Sequence, residues 1–253
     1  MFSLSFNEIS AESFLELITL PNLFIKENET LFISEAVIMT GSKITFYIVR
    51  HGKTLFNKFK RMQGYCDSPL TQDGVDTARD LAFGLKDIDF SAAYSSTSER
   101  ATDTAEIILE NRKVELVTDK NLKEIFFGDI EGEREEVVRQ DYPGLIERFH
   151  SGEKDLRFPN GENLQELVER ISGAFDKMIN ENKKDGGNIL VVSHGCSIIN
   201  FVLSIDNSIE IKDQIPNSSV TKISWENGKY IVEEFGSTKY FENGKKLREI
   251  VEK

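Results

Sequence analysis

The sequence predicts an α/β protein, a three-layer α/β/α sandwich built on a mostly parallel central sheet. Three observations carry this. From residue 43 onward, strand-like and helix-like segments alternate. Two short apolar runs end in the similar tripeptides Arg50-His51-Gly52 and Ser193-His194-Gly195. Near the end, two alternating runs flank Asn227-Gly228, the dipeptide favoured in two-residue hairpin turns, which adds an antiparallel pair to the parallel set.

In chain order, residues 44 to 49 read as a buried strand, too short and too uniformly apolar for an amphipathic helix. Residues 71 to 86 read as a helix whose Val75, Ala78, Leu81, Ala82 and Leu85 share one face. A second strand is expected over residues 90 to 94. A helix follows over residues 97 to 110, opened by a Ser/Thr cluster suited to N-capping near Ser98 and Arg100. Residues 114 to 118 give a third strand. Residues 163 to 182 give the clearest helix, with Leu164, Leu167, Val168, Ile171, Phe175, Met178 and Ile179 at core spacing. Residues 189 to 192 form a buried strand running into Ser193, and residues 220 to 225 and 230 to 235 form the hairpin.

Residues 1 to 42 differ from the rest, with six glutamates against Lys26 alone and no glycine before Gly41. They read as an N-terminal extension to a domain spanning residues 43 to 253. A short helix capped by Ser10 is expected over residues 10 to 20, and Met39 is an alternative natural start. A polypeptide beginning at Met39 is expected to keep the catalytic residues and to fold.

Composition narrows the function. The chain has 253 residues, 39% of them hydrophobic, enough for a full core. Its apolar runs are strand-sized, far short of the roughly 20 residues a membrane helix needs. The first residues carry Glu8, Glu12 and Glu16 where a secretory signal has basic residues, so the expected location is cytoplasmic. Cys66 and Cys196 are too few for a disulfide framework and too far apart for metal-ligand spacing. The net charge of −12 opposes binding to nucleic acid, so an anionic small substrate requires a local cationic pocket.

Ligands of open α/β sheets gather beyond the carboxyl ends of the strands. Two of the three histidines, His51 and His194, stand there, each followed by a glycine that permits close backbone approach. Taken alone, this also fits two structural histidines satisfied by core hydrogen bonds. His150 lies in a polar stretch and reads as a surface residue.

Six blocks, in order, resolve the choice: RHGKTLFN (50 to 57), RMQGYCDSPLTQDG (61 to 74), SSTSERATDTA (95 to 105), LKEIFFGDIEG (122 to 132), GEN (161 to 163) and SHG (193 to 195). With them the chain resembles the histidine phosphatase superfamily, the group that contains phosphoglycerate mutases and many small-molecule phosphatases, from residue 43 to about residue 235. The resemblance implies the phosphoglycerate mutase-like fold and a metal-independent phosphomonoesterase that needs no cofactor. It also assigns roles. His51 is the nucleophile, and its other ring nitrogen must be held as a donor, by a carbonyl the sequence does not name. Arg50 and Arg100 match the phosphate-binding arginines. His194 matches the second histidine, most useful when protonated, and Glu124 matches the acid that protonates the leaving alkoxide and then activates water. Asn57 matches a phosphate contact, while Gln63, Gly64 and Gly195 match substrate-facing positions. Lys53 and Ile130 depart from the family's usual residues and are expected to alter the pocket rim. A mutase that returns the phosphate to its product is the alternative, and an inactive phospho-ligand-binding protein is a third reading. The expected partner is a small phosphomonoester, with no nucleic acid and no membrane.

Overall fold

The computed structural model describes residues 42 to 153, 155 to 211 and 214 to 251. The expected helix over residues 10 to 20, the alternative start at Met39 and nearly all of the proposed N-terminal extension lie outside them.

In chain order the elements are β1 (Ile44–Arg50), α1 (Leu55–Lys58), α2 (Gln72–Gly84), β2 (Phe90–Ser96), α3 (Glu99–Leu109), β3 (Leu116–Asp119), α4 (Glu135–Asp141), α5 (Leu145–His150), α6 (Leu164–Asn182), β4 (Gly187–Ser193), α7 (Gly195–Ile205), β5 (Val220–Glu226), β6 (Lys229–Ser237) and α8 (Lys239–Val251). The strands form one sheet in the order β3-β2-β4-β1-β5-β6. β1 pairs parallel with β4, and β2 pairs parallel with both β4 and β3. β5 runs antiparallel to β1, and β6 antiparallel to β5.

The alternation of side chains along β1 explains why the sheet is covered on both faces. Phe46 and Ile48 point into one cluster with Ile171, Phe175 and Met178 of α6 and Ile198, Phe201 and Val202 of α7. Tyr47 and Val49 point into the other, with Leu81 of α2, Ala101, Ala105 and Ile108 of α3, and Tyr240 and Phe241 of α8. A third, satellite cluster gathers Ile125, Phe127, Ile130, Ile146, Phe158 and Leu167.

Local chemistry fixes the boundaries. Asn163 and Glu166 form a reciprocal capping box at the start of α6. Asn227 and Gly228 take φ of +51° and +78°, the left-handed pair that this tight hairpin turn requires. At α3, Ser98 occupies the N-cap position without using its hydroxyl. The carboxylate of Asp67 instead accepts the N–H of Glu99 at 2.6 Å. α7 was not among the elements expected from the sequence. Its run GCSIINFVLSI is apolar on nearly every side and continues the apolar strand before it, so no 3.6-residue period marks it.

α8 was also not expected. It packs on α2 through two glycines: a β-carbon at Gly244 would collide with the carbonyl of Asp80, and one at Gly84 with that of Tyr240. The helices therefore meet backbone to backbone.

Candidate active site

The parallel register of β1 and β4 sets Arg50 opposite Ser193, so the two chains leave the sheet side by side. His51 and His194 follow, both buried, with ring centroids 5.2 Å apart. Strand β2, on the other side of β4, ends in Ser95 and Ser96, and α3 begins nearby with Arg100. The sheet thus gathers Arg50, His51, His194 and Arg100 at the carboxyl ends of its parallel strands.

Nδ1 of His51 lies 2.8 Å from the carbonyl oxygen of Gly52. A carbonyl only accepts, so Nδ1 carries the proton and Nε2 keeps its lone pair. The loop is held from below: the N–H of Gly52 donates to Oγ1 of Thr104, whose hydroxyl donates to the carbonyl of Arg100. Burial first, and then Arg100 and Arg50, push the His51 pKa well below the ordinary histidine value, keeping the ring neutral.

Arg100 is wholly buried. Nη1 donates to Asp67 Oδ1 at 2.9 Å and to the carbonyl of Cys66 at 3.1 Å, and Nη2 donates to the carbonyl of Gly64 at 2.9 Å. Arg50 donates through Nη1 to the carbonyl of Ile215. Among the described residues, Nε of Arg50, Nε of Arg100 and Nδ1 of His194 are buried without a partner. Native interiors rarely leave such groups unpaired, and three in one cluster of cationic and imidazole side chains have the character of an anion site. Gly195 serves this arrangement by omission, because a β-carbon there would come within 3.2 Å of the Arg50 guanidinium.

Glu124 sits against the first turn of α7. Its Oε1 accepts the N–H of Ile125 at 2.9 Å and of Ser197 at 3.0 Å, and its Oε2 accepts the N–H of Cys196 at 2.9 Å. The helix N-terminus favours the negative charge. Glu162 is committed elsewhere: Arg170 grips it through Nε at 2.7 Å and Nη2 at 2.8 Å, while spanning the carbonyls of Asn121, Lys123 and Glu124.

The remaining residues read from the sequence fall into two groups. Asn57 Oδ1 accepts the N–H of Thr54 at 3.1 Å, as part of a capping box, and Nδ2 of Asn217 at 3.2 Å. Its own Nδ2 is therefore the end left for a ligand. Gln63 is used internally: Oε1 accepts from Thr54 and Nε2 donates to Ser68. Gly64 contributes its carbonyl to Arg100, and a β-carbon there would strike the carbonyl of Ile125. Of the two departures, Ile130 is buried in the satellite cluster, and Lys53 pairs on the surface with Asp73. Neither placement matches the expected role in shaping the rim. His150 is exposed at the end of α5, as the sequence indicates.

Several supporting residues escaped the sequence reading. Asn217 donates to the carbonyl of His51 at 3.0 Å. Glu131 accepts the N–H groups of Tyr65, Cys66 and Phe127, fixing the turn whose carbonyls grip Arg100. Asp67 and Ser96 complete this shell. Asp67, Ser96 and Glu131 lie within the quoted blocks and Asn217 outside them, but the contacts that matter span long sequence separations, so nothing local shows what each side chain holds. Among the described residues, no group of three His, Cys, Asp or Glu side chains is placed to hold a metal ion, and no helix is long and apolar enough to cross a membrane.

Comparison with known proteins identifies the family. Residues 46 to 238 match the family model of the histidine phosphatase superfamily, branch 1. A probable phosphoglycerate mutase of Cronobacter sakazakii is 29% identical over 188 residues, 73% of this chain and 86% of its own. The crystal structure of a phosphoglycerate mutase from Bacillus anthracis is similar with a TM-score of 0.76 and 36% identity, over 82% of this chain and 99% of that one. A phosphoserine phosphatase from Entamoeba histolytica, solved with 3-phosphoglyceric acid, gives a TM-score of 0.67 at 27% identity, covering 78% and 99%. With its paired strand-end histidines, its buried arginines and a family match over most of its length, the chain belongs to the histidine phosphatase superfamily, a family of phosphoryl-transfer enzymes.

Proposed function

We propose that the protein is a phosphomonoesterase that hydrolyses a small phosphorylated metabolite through a phosphohistidine on His51. The observation that carries this reading is the hydrogen bond from His51 Nδ1 to Gly52, which leaves Nε2 as a nucleophile beside the unpartnered donors of Arg50, Arg100 and His194.

In the first step the Nε2 lone pair attacks phosphorus, the bond from phosphorus to the ester oxygen breaks, and the departing alkoxide takes a proton from Glu124. The lone pair left to Oε2, whose other site accepts the N–H of Cys196, is the place for that proton, because two backbone donors already occupy Oε1. In the second step water attacks phosphorus and gives a proton to Glu124, the nitrogen to phosphorus bond breaks, and inorganic phosphate leaves. Arg50, Arg100, the Nδ1 of His194 and the free amide of Asn57 neutralise and orient the three equatorial oxygens throughout, so no metal is required.

The similarity to a phosphoglycerate mutase favours a second reading, in which the phosphate returns to another oxygen of the product rather than to water. Both readings share the covalent step, and one experiment addresses each. The enzyme is quenched in mid-turnover and examined for acid-labile, alkali-stable phosphate. The isolated phosphoenzyme is then given glycerate phosphates. Phosphohistidine that is absent from His51→Ala and discharges to inorganic phosphate supports the hydrolase. Transfer from the histidine to the glycerate phosphate, giving a bisphosphate that returns its other phosphate to the histidine and leaves the isomeric monophosphate, supports the mutase, and no phosphohistidine removes both.

A further inference from the structure

The serine-rich block at the end of β2 has no role in the mechanism above, yet one of its hydroxyls touches the site. Oγ of Ser96 lies 2.8 Å from Nε2 of His194. Both residues are buried. Ser96 Oγ also accepts the backbone N–H of Ser98 at 3.2 Å and stands 3.4 Å from Oγ of Ser98. Hydroxyl hydrogen bonds span about 2.5 to 3.0 Å, so Ser98 Oγ competes poorly for the Ser96 proton. Of the two acceptors within reach of that proton, Nε2 of His194 offers the shorter contact.

With Nε2 accepting from Ser96, that nitrogen carries no hydrogen, and the hydrogen of the neutral ring belongs on Nδ1. Nδ1 is the buried nitrogen without a partner among the described residues. The opposite tautomer would turn a bare lone pair toward the space where phosphate oxygens are expected, between Arg50 and Arg100. The charged and titratable groups facing the ring are Arg100, His51, Arg170 and Arg50. With burial, they hold it in the uncharged form, so the position of a single hydrogen decides whether the ring attracts or repels an anion.

We propose that Ser96 is a positioning residue that fixes His194 as the neutral Nδ1–H tautomer, so that His194 donates a directed hydrogen bond to the transferring phosphate without carrying charge. This deepens the reading of the site as a phosphoryl-transfer centre and rests on it. It also makes the two histidines alike, both carrying hydrogen on Nδ1, one through the Gly52 carbonyl and one through the Ser96 hydroxyl. Free neutral histidine in water prefers hydrogen on Nε2, so the protein imposes the rarer form twice.

The chain has three histidines, which makes the test tractable. Long-range proton–nitrogen NMR spectra of the ¹⁵N-histidine-labelled, ligand-free enzyme near pH 7 report each tautomer directly, with His150→Asn and His51→Ala used for assignment. His194 is expected to show a protonated Nδ1 and an unprotonated Nε2. In Ser96→Ala the His194 pattern shifts toward Nε2–H while that of His51 stays, and kcat/KM falls about tenfold, the scale of one hydrogen bond. Ser96→Thr restores both. A wild-type His194 with hydrogen on Nε2, or on both nitrogens, overturns the proposal, as does an unchanged tautomer in Ser96→Ala. The wild-type spectrum decides without any substitution. Because it is read before phosphate transfer, it stands apart from the phosphohistidine experiment.

Discussion

The N–H of Cys196 lies 2.9 Å from Oε2 of Glu124, so the proposed proton donor is seated on the helix that begins immediately after His194. The seat has a consequence for the usual isosteric substitution. With Oε1 taken by the N–H groups of Ile125 and Ser197, the amide nitrogen of a glutamine would face the N–H of Cys196, donor against donor.

Glu124→Gln therefore loses both an acidic proton and a favourable contact, and two leaving groups separate the effects. An alkyl phosphate departs as a basic alkoxide and needs protonation, worth roughly 10² to 10⁴ in rate. An aryl phosphate with an electron-poor ring needs it far less. Single-turnover phosphorylation of His51 is expected to slow by that factor with the first and only mildly with the second. Equal losses would remove Glu124 as the leaving-group acid. Glu162 is a poor substitute, being held at two points by Arg170.

Asn217 donates to both the His51 carbonyl and Asn57 Oδ1, and with the N–H of Thr54 it holds the Asn57 oxygen away from the site. Asn217→Ala is expected to leave the Asn57 amide held by Thr54 alone, to loosen it and the His51 carbonyl, and to lower kcat/KM about tenfold, the scale of one hydrogen bond. Asn57→Ala should then add little in the double variant. Additive losses would show that the two amides act separately.

The depressed pKa values of His51 and His194 make stability depend on pH. Both rings stay neutral when folded, while an unfolded chain takes up their protons near pH 6.5. The unfolded state therefore binds more protons below that pH, and folding stability falls as pH drops from about 6.5 toward the lowered native values. Each ring contributes up to about 1.4 kcal/mol per pH unit in that window. Denaturant unfolding at pH 7.5 and 5.5 is expected to show the loss, with a shallower dependence in His194→Gln. A variant slope equal to that of wild type would contradict the assignment.

Gly244→Ala places a methyl group against the Asp80 carbonyl and forces α8 away from α2. The expected cost is about 1 to 3 kcal/mol in urea unfolding, with kcat of the folded fraction unchanged, since α8 contributes none of the site residues. An unaltered midpoint would mean that the contact yields freely.

The sequence carried the strands and helices that have a period or a boundary signal: the apolar run of β1, the amphipathic face of α6 and the Asn227-Gly228 turn. It also carried residues that sit in contiguous blocks, such as Arg50, His51 and His194. α7 was hidden by its uniform apolarity, and α8 lay beyond the segments that the strand and helix patterns marked. The supporting shell was hidden for another reason. Ser96 meets His194 across 98 residues and Asn217 meets His51 across 166, so each contact exists only through the sheet order. Gln63, Lys53 and Ile130 show the reverse limit, since a position within a recognisable block does not reveal which way its side chain is committed.

The pairing of β1 with β4 joins strands far apart in the chain, with β2 and β3 made in between. No partial structure that lacks this pairing brings His51 beside His194, and closing so long a loop is among the slower events in folding. Recovery of catalysis after dilution from denaturant is therefore expected to trail the return of helical signal. For the same reason a chain emerging in order from its N-terminus carries His51 early but can set it beside His194 only after residue 194 is available, which makes the proposed activity a late marker of its maturation.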